Sequence, residues 1–273
     1  MRPLIEFYLR FEYVFMALVP VVTFIGGVII GKIRNNKSNG KIKKILSLTK
    51  SDSILIIPLH EGTDTIKRAT YSGKCITYEE ALILNEINKT ICSIFKNKYS
   101  VFFKGLVNTT TPLEQSNNHI YFGGFRAHDS VHTMMGRYCS NVKFSMDSKS
   151  YENQHKYKDM YYPCVHKDDD YHIKIGTYVF SYNAKKEGYV ILIKLTNKII
   201  QDKGRGTVHI CFGPHAPETA AAAKSFNDNR VELYNRLKHR KTCYFAIMKC
   251  QKNGEIDFKS FRDCTGDVWP MYR

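Results

Sequence analysis

Three segments of the chain place histidine, carboxylate or arginine side chains directly after an apolar run that ends in glycine or proline. Residue types of this kind bind phosphate groups or move protons. Each run has the composition of a buried strand, and a helical pattern or its entry loop follows. The candidate residues are Pro58, His60 and Glu61 in the first segment; Gly123, Gly124, Arg126, His128 and Asp129 in the second; and Gly213, Pro214, His215, Glu218 and Thr219 in the third.

A ligand cleft is the chemistry that these segments favour. In an open parallel sheet, the loops after the strands meet at the carboxyl edge, where ligands bind. Glycine lets the backbone approach a ligand, and a helix that starts near Pro217 offers free amide groups to a phosphate. Arg126 can add a bidentate contact. We therefore expect these residues to bind a nucleotide or a similar phosphate-bearing ligand.

An enzymatic alternative uses the same residues as acid and base groups. Hydrolysis or transfer at a nucleotide or glycosidic bond needs at least two such groups within hydrogen-bond reach. The carboxylates are Glu61, Asp129 and Glu218, and the histidines near them in sequence are His60, His128 and His215. Adjacent residues on a turn usually point apart, and the chain lacks the nucleophile-elbow, zinc-protease and complete dinucleotide fingerprints. Binding without catalysis is the favoured interpretation.

The sequence predicts neither a metal site nor a cofactor. The eight cysteines contain no Cys-x-x-Cys pair and no zinc-type spacing with histidine. The acidic run at residues 168–170 lacks the spaced oxygen ligands of a calcium loop. Cys211 and Cys243 lie inside apolar runs, which predicts buried thiols and fits a reducing compartment.

Strands and helices alternate in the pattern that would position these residues. Thr77 with Glu80 forms a capping box that opens a helix, and further helices are expected near residue 127 and from Pro217. This order predicts an α/β fold, namely a Rossmann-like, mainly parallel sheet flanked by helices. Strands are predicted at residues 53–59, 99–104, 119–122, 142–146, 171–183, 189–196, 207–212 and 241–249, with a loop around Gly62 and Gly73, an exposed excursion at 147–170 and a hairpin turn at 185–188.

An uncharged segment precedes the domain. Residues 13–31 are nineteen residues without a charge, about the length that a helix needs to cross the hydrocarbon core. Six cations follow directly, at positions 32, 34, 37, 41, 43 and 44. The positive-inside rule then predicts a single-pass cell-membrane protein with a cytoplasmic soluble domain. The predicted organisation is a short N-terminal segment at 1–12, a transmembrane helix at 13–31, a basic juxtamembrane linker at 32–52 and an α/β domain at 53–273.

The charge of the chain restricts its partners. A formal charge of +16 attracts anionic partners such as lipid head groups, nucleotides or nucleic acid, and a chain rich in Lys, Ile, Asn and Tyr leaves open that part of this charge is only compositional. Nucleic acid is a weaker candidate, because the chain contains no Lys/Arg-aromatic motif of the usual binding modules. Gly26, Gly27 and Gly31 would let two membrane helices approach closely, which leaves a homo-oligomer open.

Two strand-and-turn segments carry a resemblance to a known group. They are IYFGGFRA at residues 120–127 and VHICFGPHAPETAAA at residues 208–222. Over residues 53–228 the chain resembles an uncharacterised group of bacterial Rossmann-like domains, although Phe125 and His128 stand where that group has Pro and Asn. With one membrane helix added, the layout is similar to that of sensors and effectors in bacterial anti-phage systems. The resemblance implies a Rossmann-like fold and, by layout alone, a role in signalling or defence.

Three functions follow from these observations. The leading one is a membrane-anchored module that binds a nucleotide or another phosphate ligand. The second is a membrane-tethered nucleotide or glycosidic hydrolase or transferase. The third is a structural or interaction protein without a small ligand, whose basic surface holds it on acidic lipid.

Overall fold

A computed structural model describes most of the chain from residue 36 onward. The described residues are 36–47, 53–58, 60–66, 69–75, 99–104, 117–123, 129–146, 155–157, 160–162, 170–183, 186–200, 205–214 and 216–272, with helical positions 81–83, 85, 86 and 89. The chain divides into two units, Met1–Lys41 and Ile42–Arg273. Of the first unit, only helical residues 36–41 are described.

The chain contains fourteen described strands and seven α-helices, followed by a 3-10 helix at Pro270–Tyr272. In chain order the elements are α1 (residues 36–46), β1 (Ser53–Pro58), β2 (His60–Ile66), β3 (Ala69–Cys75), α2 (the helical positions within 81–89), β4 (Tyr99–Lys104), β5 (Asn117–Phe122), α3 (Asp129–Tyr138), β6 (Val142–Met146), β7 (His155–Tyr157), β8 (Met160–Tyr162), β9 (Asp170–Ile175), β10 (Tyr178–Asn183), β11 (Glu187–Leu195), α4 (Asn197–Ile200), β12 (Arg205–Phe212), α5 (Ala216–Asp228), α6 (Arg230–Leu237), β13 (Tyr244–Gln251), β14 (Ile256–Asp263) and α7 (Thr265–Val268).

Seven strands form one mixed sheet in the order β14-β13-β11-β12-β5-β1-β4. The half that contains β12, β5, β1 and β4 is parallel. In the other half, β11 is antiparallel to both of its neighbours, and β14 is antiparallel to β13. The α/β class is therefore confirmed, whereas the expectation of a mainly parallel sheet is wrong.

The connections of β11 explain why the sheet is mixed and not mainly parallel. Its residues are buried on both faces, and a strand of that kind has the same composition in parallel and antiparallel sheets. Only the short stretch 196–204 joins β11 to β12. A parallel neighbour would need a crossover of a dozen or more residues, so this connection returns the chain antiparallel.

Apolar side chains cover both faces of the main sheet, since successive residues of a strand point to opposite sides. On one face, Val190 and Leu192 pack with α1, α5 and α6 through residues such as Ala222 and Leu233. On the other face, Ile191 and Ile193 pack with α3, β6, β9 and the C-terminal Trp269. The domain thus has three layers with the mixed sheet in the middle.

Part of the predicted basic linker belongs to this core. Ile42, Ile45 and Leu46 of α1 are at most 3% exposed, and they pack on the same face of the sheet as α5. Lys43 and Lys44 alternate with them and face solvent. Helical periodicity therefore separates an apolar face from a basic face within this segment.

Smaller sheets replace several predicted loops. Residues around Gly62 and Gly73, predicted as a loop, form the antiparallel pair β2 and β3, and the predicted excursion contains the pair β7 and β8. The predicted hairpin between β10 and β11 is wrong, because β10 pairs with β9 in a three-stranded sheet with β6. Gly176, at φ 59°, makes the turn between β9 and β10.

The predicted transmembrane segment at 13–31 lies outside the described residues and stays a prediction. Among the residues that the structure does describe, no helix has both the length and the apolar character needed to cross a membrane.

Candidate functional site

The ends of three parallel strands meet at one edge of the main sheet. Ile56 pairs with Tyr121, and Phe122 pairs with Cys211, so the chain leaves β1, β5 and β12 at the same level. Pro58, Gly123 and Gly213 therefore lie at this carboxyl edge, as the sequence predicted. Because β13 runs in the same direction as β12, its end at Gln251 lies there as well.

Backbone hydrogen bonds fix the turns at this edge. Gly123 has φ 121°, which favours glycine, and its amide donates to the carbonyl oxygen of Cys211 at 3.0 Å. The amide of Gly213 donates to Thr219 Oγ1 at 3.2 Å. The hydroxyl of Thr219 thus ties the end of β12 to the first turn of α5.

Glu218 lies in that first turn and is only 7% exposed. Two glycines leave room for it: a Cβ on Gly188 would lie 2.6 Å from Glu218 Oε1, and a Cβ on Gly213 would lie 2.2 Å from Glu218 Cβ. Its Oε2 atom is buried and accepts no hydrogen bond in the described part of the chain. A carboxylate at a helix N-terminus is favoured by the helix dipole, but burial removes the hydration that it would otherwise keep.

Two titratable groups whose pKa values respond to this carboxylate do not neutralise it. Burial, with the Glu218 charge as a second cause, raises the pKa of the Tyr189 hydroxyl well above its usual range. The same two causes raise the pKa of the Cys250 thiol to about 12. Both groups are therefore uncharged at neutral pH, and Cys250 is not a thiolate nucleophile.

The opposite face of this edge carries an ion pair and two aromatic rings. Lys249 Nζ lies 2.7 Å from Glu187 Oε1, so the Lys249 ammonium forms an ion pair with the Glu187 carboxylate. The ammonium also lies 5.9 Å from the centre of the Tyr182 ring, which packs against Tyr189 at 5.1 Å between centroids. Tyr182 and Tyr189 are both buried.

A polar cavity of about 430 Å³ opens along α5. It lies between α5 and the turn from β13 to β14, and Ala221 and Ile256 form its apolar wall. Ala221 follows Glu218 by one helical turn, and Ile256 pairs with Cys250. Its polar lining includes Lys224, Asp228, Asn229, Asn253 and Glu255. Its volume is in the range of small-molecule sites.

The structure brings only some of the predicted site residues to this edge. His60 and Glu61 do not lie in a loop: they are paired with Cys75 and Lys74 in the separate sheet of β2 and β3. That strand begins two residues after β1, and Gly62 and Gly73 pair with each other within it and β3 instead of marking a loop. Asp129 starts α3. Gly124, Arg126, His128 and His215 lie outside the described residues.

A second polar cluster, at the opposite edge of the sheet, was missed by the sequence analysis. Lys194 is fully buried, and its ammonium donates to Ser47 Oγ at 2.7 Å and to the carbonyl oxygen of Lys241 at 2.8 Å. Burial lowers its pKa to about 8. Thr207 Oγ1 donates to the Ser47 carbonyl oxygen, and Asn118 Oδ1 accepts the Thr207 amide where the register of β12 shifts.

His209 joins α1 to the same cluster. Its Nε2 lies 2.8 Å from the carbonyl oxygen of Leu46, which can only accept, so Nε2 carries the proton. Nδ1 then accepts from the Tyr244 hydroxyl at 3.1 Å. Burial, reinforced by the Lys194 ammonium, lowers the pKa of His209 to about 3. A neutral histidine and a buried lysine thus hold the carbonyl end of α1, where cations and donors are favoured.

The geometry of the carboxyl edge is suited to binding. It combines a cavity along α5, two strand-end glycines and a buried carboxylate whose Oε2 atom has no donor among the described residues. Within the described ranges, no cluster of three or more His, Cys, Asp or Glu residues could hold a metal ion. No family model, no curated protein and no solved structure matches the chain.

Proposed function

We propose that this protein is a membrane-anchored module that binds a nucleotide or a related phosphate-bearing ligand at the carboxyl edge of its sheet. The cavity beside α5 supports this proposal most directly, because it lies between α5, the helix that follows β12 at the carboxyl edge, and the turn from β13 to β14. The parallel half of the sheet supports a Rossmann-like mode of binding. The ligand phosphate would lie on the Gly123 side, and Arg126, three residues later in the sequence, is the candidate for a bidentate contact.

The basic character of the chain supports the membrane part of the proposal. Lys43 and Lys44 face solvent on α1, and they can contact anionic head groups if residues 13–31 cross the bilayer. In that arrangement the domain faces the cytoplasm, where nucleotides are abundant. Ligand binding would then be signalled to the membrane or to a partner protein, in the manner of a sensor or effector in bacterial defence.

Thermal unfolding of the full chain in detergent micelles tests ligand binding. The probes are the four ribonucleoside triphosphates, the matching monophosphates and inorganic phosphate. A ligand that binds the folded state raises the melting temperature. At a free ligand concentration a hundredfold above Kd, the free energy of unfolding rises by about 2.7 kcal/mol. Arg126→Ala should weaken nucleotide binding tenfold to a hundredfold, by about 1.5–3 kcal/mol, without lowering the melting temperature of the free protein.

The outcomes of that screen are distinct. No stabilisation by any probe would overturn the proposal and favour an interaction protein that needs no small ligand. Product formation during the incubation, followed by chromatography of the nucleotide, would instead favour the hydrolase or transferase.

A further inference from the structure

Residues 42–47, the last turn of α1 together with Ser47, are held on the sheet by three polar side chains. His209 Nε2 donates to the Leu46 carbonyl oxygen. The Lys194 ammonium donates to Ser47 Oγ, and Thr207 Oγ1 donates to the Ser47 carbonyl oxygen. Because all three bonds end on two adjacent residues, the docking of this turn depends on the charge and the hydrogen-bond roles of the side chains beneath it.

Ser47 is held in a strained conformation. Its φ of 45° lies in the left-handed region that favours glycine. Its amide donates to the Lys43 carbonyl oxygen at 2.8 Å, and its hydroxyl donates to the Lys44 carbonyl oxygen at 2.9 Å, so the chain closes back on α1. The bonds from Lys194 and Thr207 help to keep Ser47 there, and release of the turn from the sheet would relieve the strain.

The hydrogen bonds of His209 leave no place for a second proton. Nε2 already donates to Leu46, and Nδ1 accepts from the Tyr244 hydroxyl. A proton on Nδ1 would turn that acceptor into a donor, and the Tyr244 hydroxyl would then need another acceptor for its own proton. Both side chains are at most 1% exposed, so water does not supply one. The docked arrangement therefore selects the neutral imidazole.

The charges around His209 also favour the neutral imidazole. The titratable groups on the elements around it are the Lys194 ammonium on β11, the Tyr244 hydroxyl on β13, the Cys211 thiol on β12, the Cys243 thiol near Lys194, and Lys43 and Lys44, which face solvent on α1. Burial raises the pKa values of Tyr244, Cys211 and Cys243, so these groups are uncharged at neutral pH. Only the ammonium of Lys194 adds a buried charge there, and it repels an imidazolium.

No carboxylate in the described part of the chain offsets this repulsion. The neighbour of His209 on β5 is Ile120, which is apolar. Glu218, a buried carboxylate in the first turn of α5, lies at the far end of β12 beside Gly213, roughly 13 Å along the strand. Burial and the Lys194 ammonium accordingly lower the pKa of His209 to about 3. A proton on His209 is tolerated only if water reaches the ring.

α1 is the element that can admit that water. β12 lies between β11 and β5 and is hydrogen-bonded to both, so moving it would break two ladders of the central sheet. The Leu46 carbonyl covers the Nε2 edge of the ring. Movement of residues 42–47 opens this edge and leaves the sheet intact, so release of the turn costs less than release of the strand.

We propose that residues 42–47 form a proton-sensitive latch, which is docked on the sheet when His209 is neutral and is released when His209 takes up a proton. Water then solvates the imidazolium, and Ser47 leaves its strained conformation. Because α1 follows the predicted membrane segment in the sequence, release would lengthen the tether between that segment and the domain. The latch needs no ligand, so it is independent of the proposed nucleotide site.

The test is hydrogen exchange with mass spectrometry on the full chain in detergent micelles, from pH 7.5 to pH 5.0, with rates corrected for the intrinsic effect of pH. In the released state His209 should titrate near 6.5, the value of an unperturbed histidine. Protection of the amides at 42–47 should therefore fall about thirtyfold across this range. Lys194, with a pKa of about 8, is mostly protonated in both states and should change the result by less than about twofold.

Two variants identify the sensor. His209→Gln keeps a neutral side chain that can donate to Leu46 and accept from Tyr244, so protection at 42–47 should vary by less than about twofold with pH. His172→Gln removes an exposed histidine on β9 and should retain the thirtyfold loss. In every protein, β11 and β13 should stay more protected than residues 42–47, because they exchange only when the sheet opens.

Contrary results overturn the proposal in recognisable ways. If residues 42–47 are as protected as β13 at every pH, the turn opens only with the whole domain and there is no latch. Constant protection at 42–47 in the wild type, or an equal loss in His209→Gln, would show that His209 is not the sensor. Should His209→Gln fail to fold, α6 is the reference within the wild type: it contains no histidine and should change less than about threefold, and an equal loss there would mean a general effect of acid.

Discussion

Gly188 and Gly213 contact different parts of Glu218, and this difference can be measured. A Cβ on Gly188 meets only the outer atoms of Glu218, whereas a Cβ on Gly213 also lies 2.6 Å from the Tyr189 carbonyl oxygen. Gly188→Ala should destabilise the protein by about 1–3 kcal/mol. In a Glu218→Ala background that cost should largely disappear, while the cost of Gly213→Ala should persist.

Urea unfolding of the single and double variants gives these coupling energies. Gly40→Ala is the control, since nothing lies within 4 Å of its added Cβ and helix propensity favours alanine there. Equal costs for Gly188→Ala in both backgrounds would show that Glu218 does not occupy the space above that glycine.

His209 predicts a specific loss of stability in acid. Its pKa is about 3 in the folded protein, against 6.5 for an unperturbed histidine. Between these values the unfolded chain binds a proton that the folded protein does not, so stability falls as the pH falls. The slope is about 1.4 kcal/mol per pH unit for one proton.

The comparison is with His209→Gln, which lacks this titration. Its deficit relative to wild type at pH 7 should shrink by about 1.4 kcal/mol for each pH unit below 6.5, in urea unfolding from pH 7 to pH 4.5. His172→Gln, which removes an imidazole that is hydrogen-bonded to Ser181 at an exposed position, is the control for the loss of a surface histidine. A constant deficit for His209→Gln would mean that the histidine is protonated in the fold.

At the scale of elements, the end of α1 depends on one buried ammonium. Lys194→Met removes the donor to Ser47 and leaves the Lys241 carbonyl oxygen without it, while keeping most of the side-chain volume. We expect backbone amides at residues 42–47 to exchange hydrogen about tenfold faster, whereas β11 and β13 keep their protection. Hydrogen exchange with mass spectrometry measures this, with Lys198→Met on the exposed side of α4 as control. Unchanged exchange at 42–47 would show that the apolar contacts of α1 and the hydrogen bonds from His209 and Thr207 hold it without Lys194.

The positions of strands and helices that are specified by their own residues were predictable from the sequence. The way in which the strands pair with one another was not. The apolar run before Gly213 and the alanine-rich stretch after Pro217 place β12 and α5 correctly, because each is specified by its own residues. The antiparallel insertion of β11 depends on strands that come later in the chain. The two strand-end glycines were therefore found, but the direction of half the sheet was not.

The same reasoning separates the site residues that were found from those that were missed. Gly123, Gly213 and Thr219 stand at visible strand-to-helix boundaries. Lys194 lies in a run that resembles a strand end facing solvent, and its buried partners, Ser47 and Lys241, are far away in sequence. Glu218 was a candidate as a first-turn carboxylate, but its enclosure depends on Gly188, thirty residues earlier.

For the whole molecule, the membrane prediction can be decided without any ligand. The uncharged residues 13–31 and the cations that follow predict that the full chain stays in the pellet after alkaline carbonate extraction. Protease added to right-side-out cells should leave the α/β domain intact, and protease added to inverted vesicles should digest it. Release by carbonate would contradict the anchor, and digestion in intact cells would reverse the orientation.

The insertion of β11 between β12 and β13 also affects synthesis on the ribosome. When β11 leaves the exit tunnel, both strands that will flank it have yet to emerge from the ribosome, and the second is complete only at Gln251. Until then the nascent chain carries the run YVILIKL without its final neighbours, and such unpaired strands are prone to aggregate.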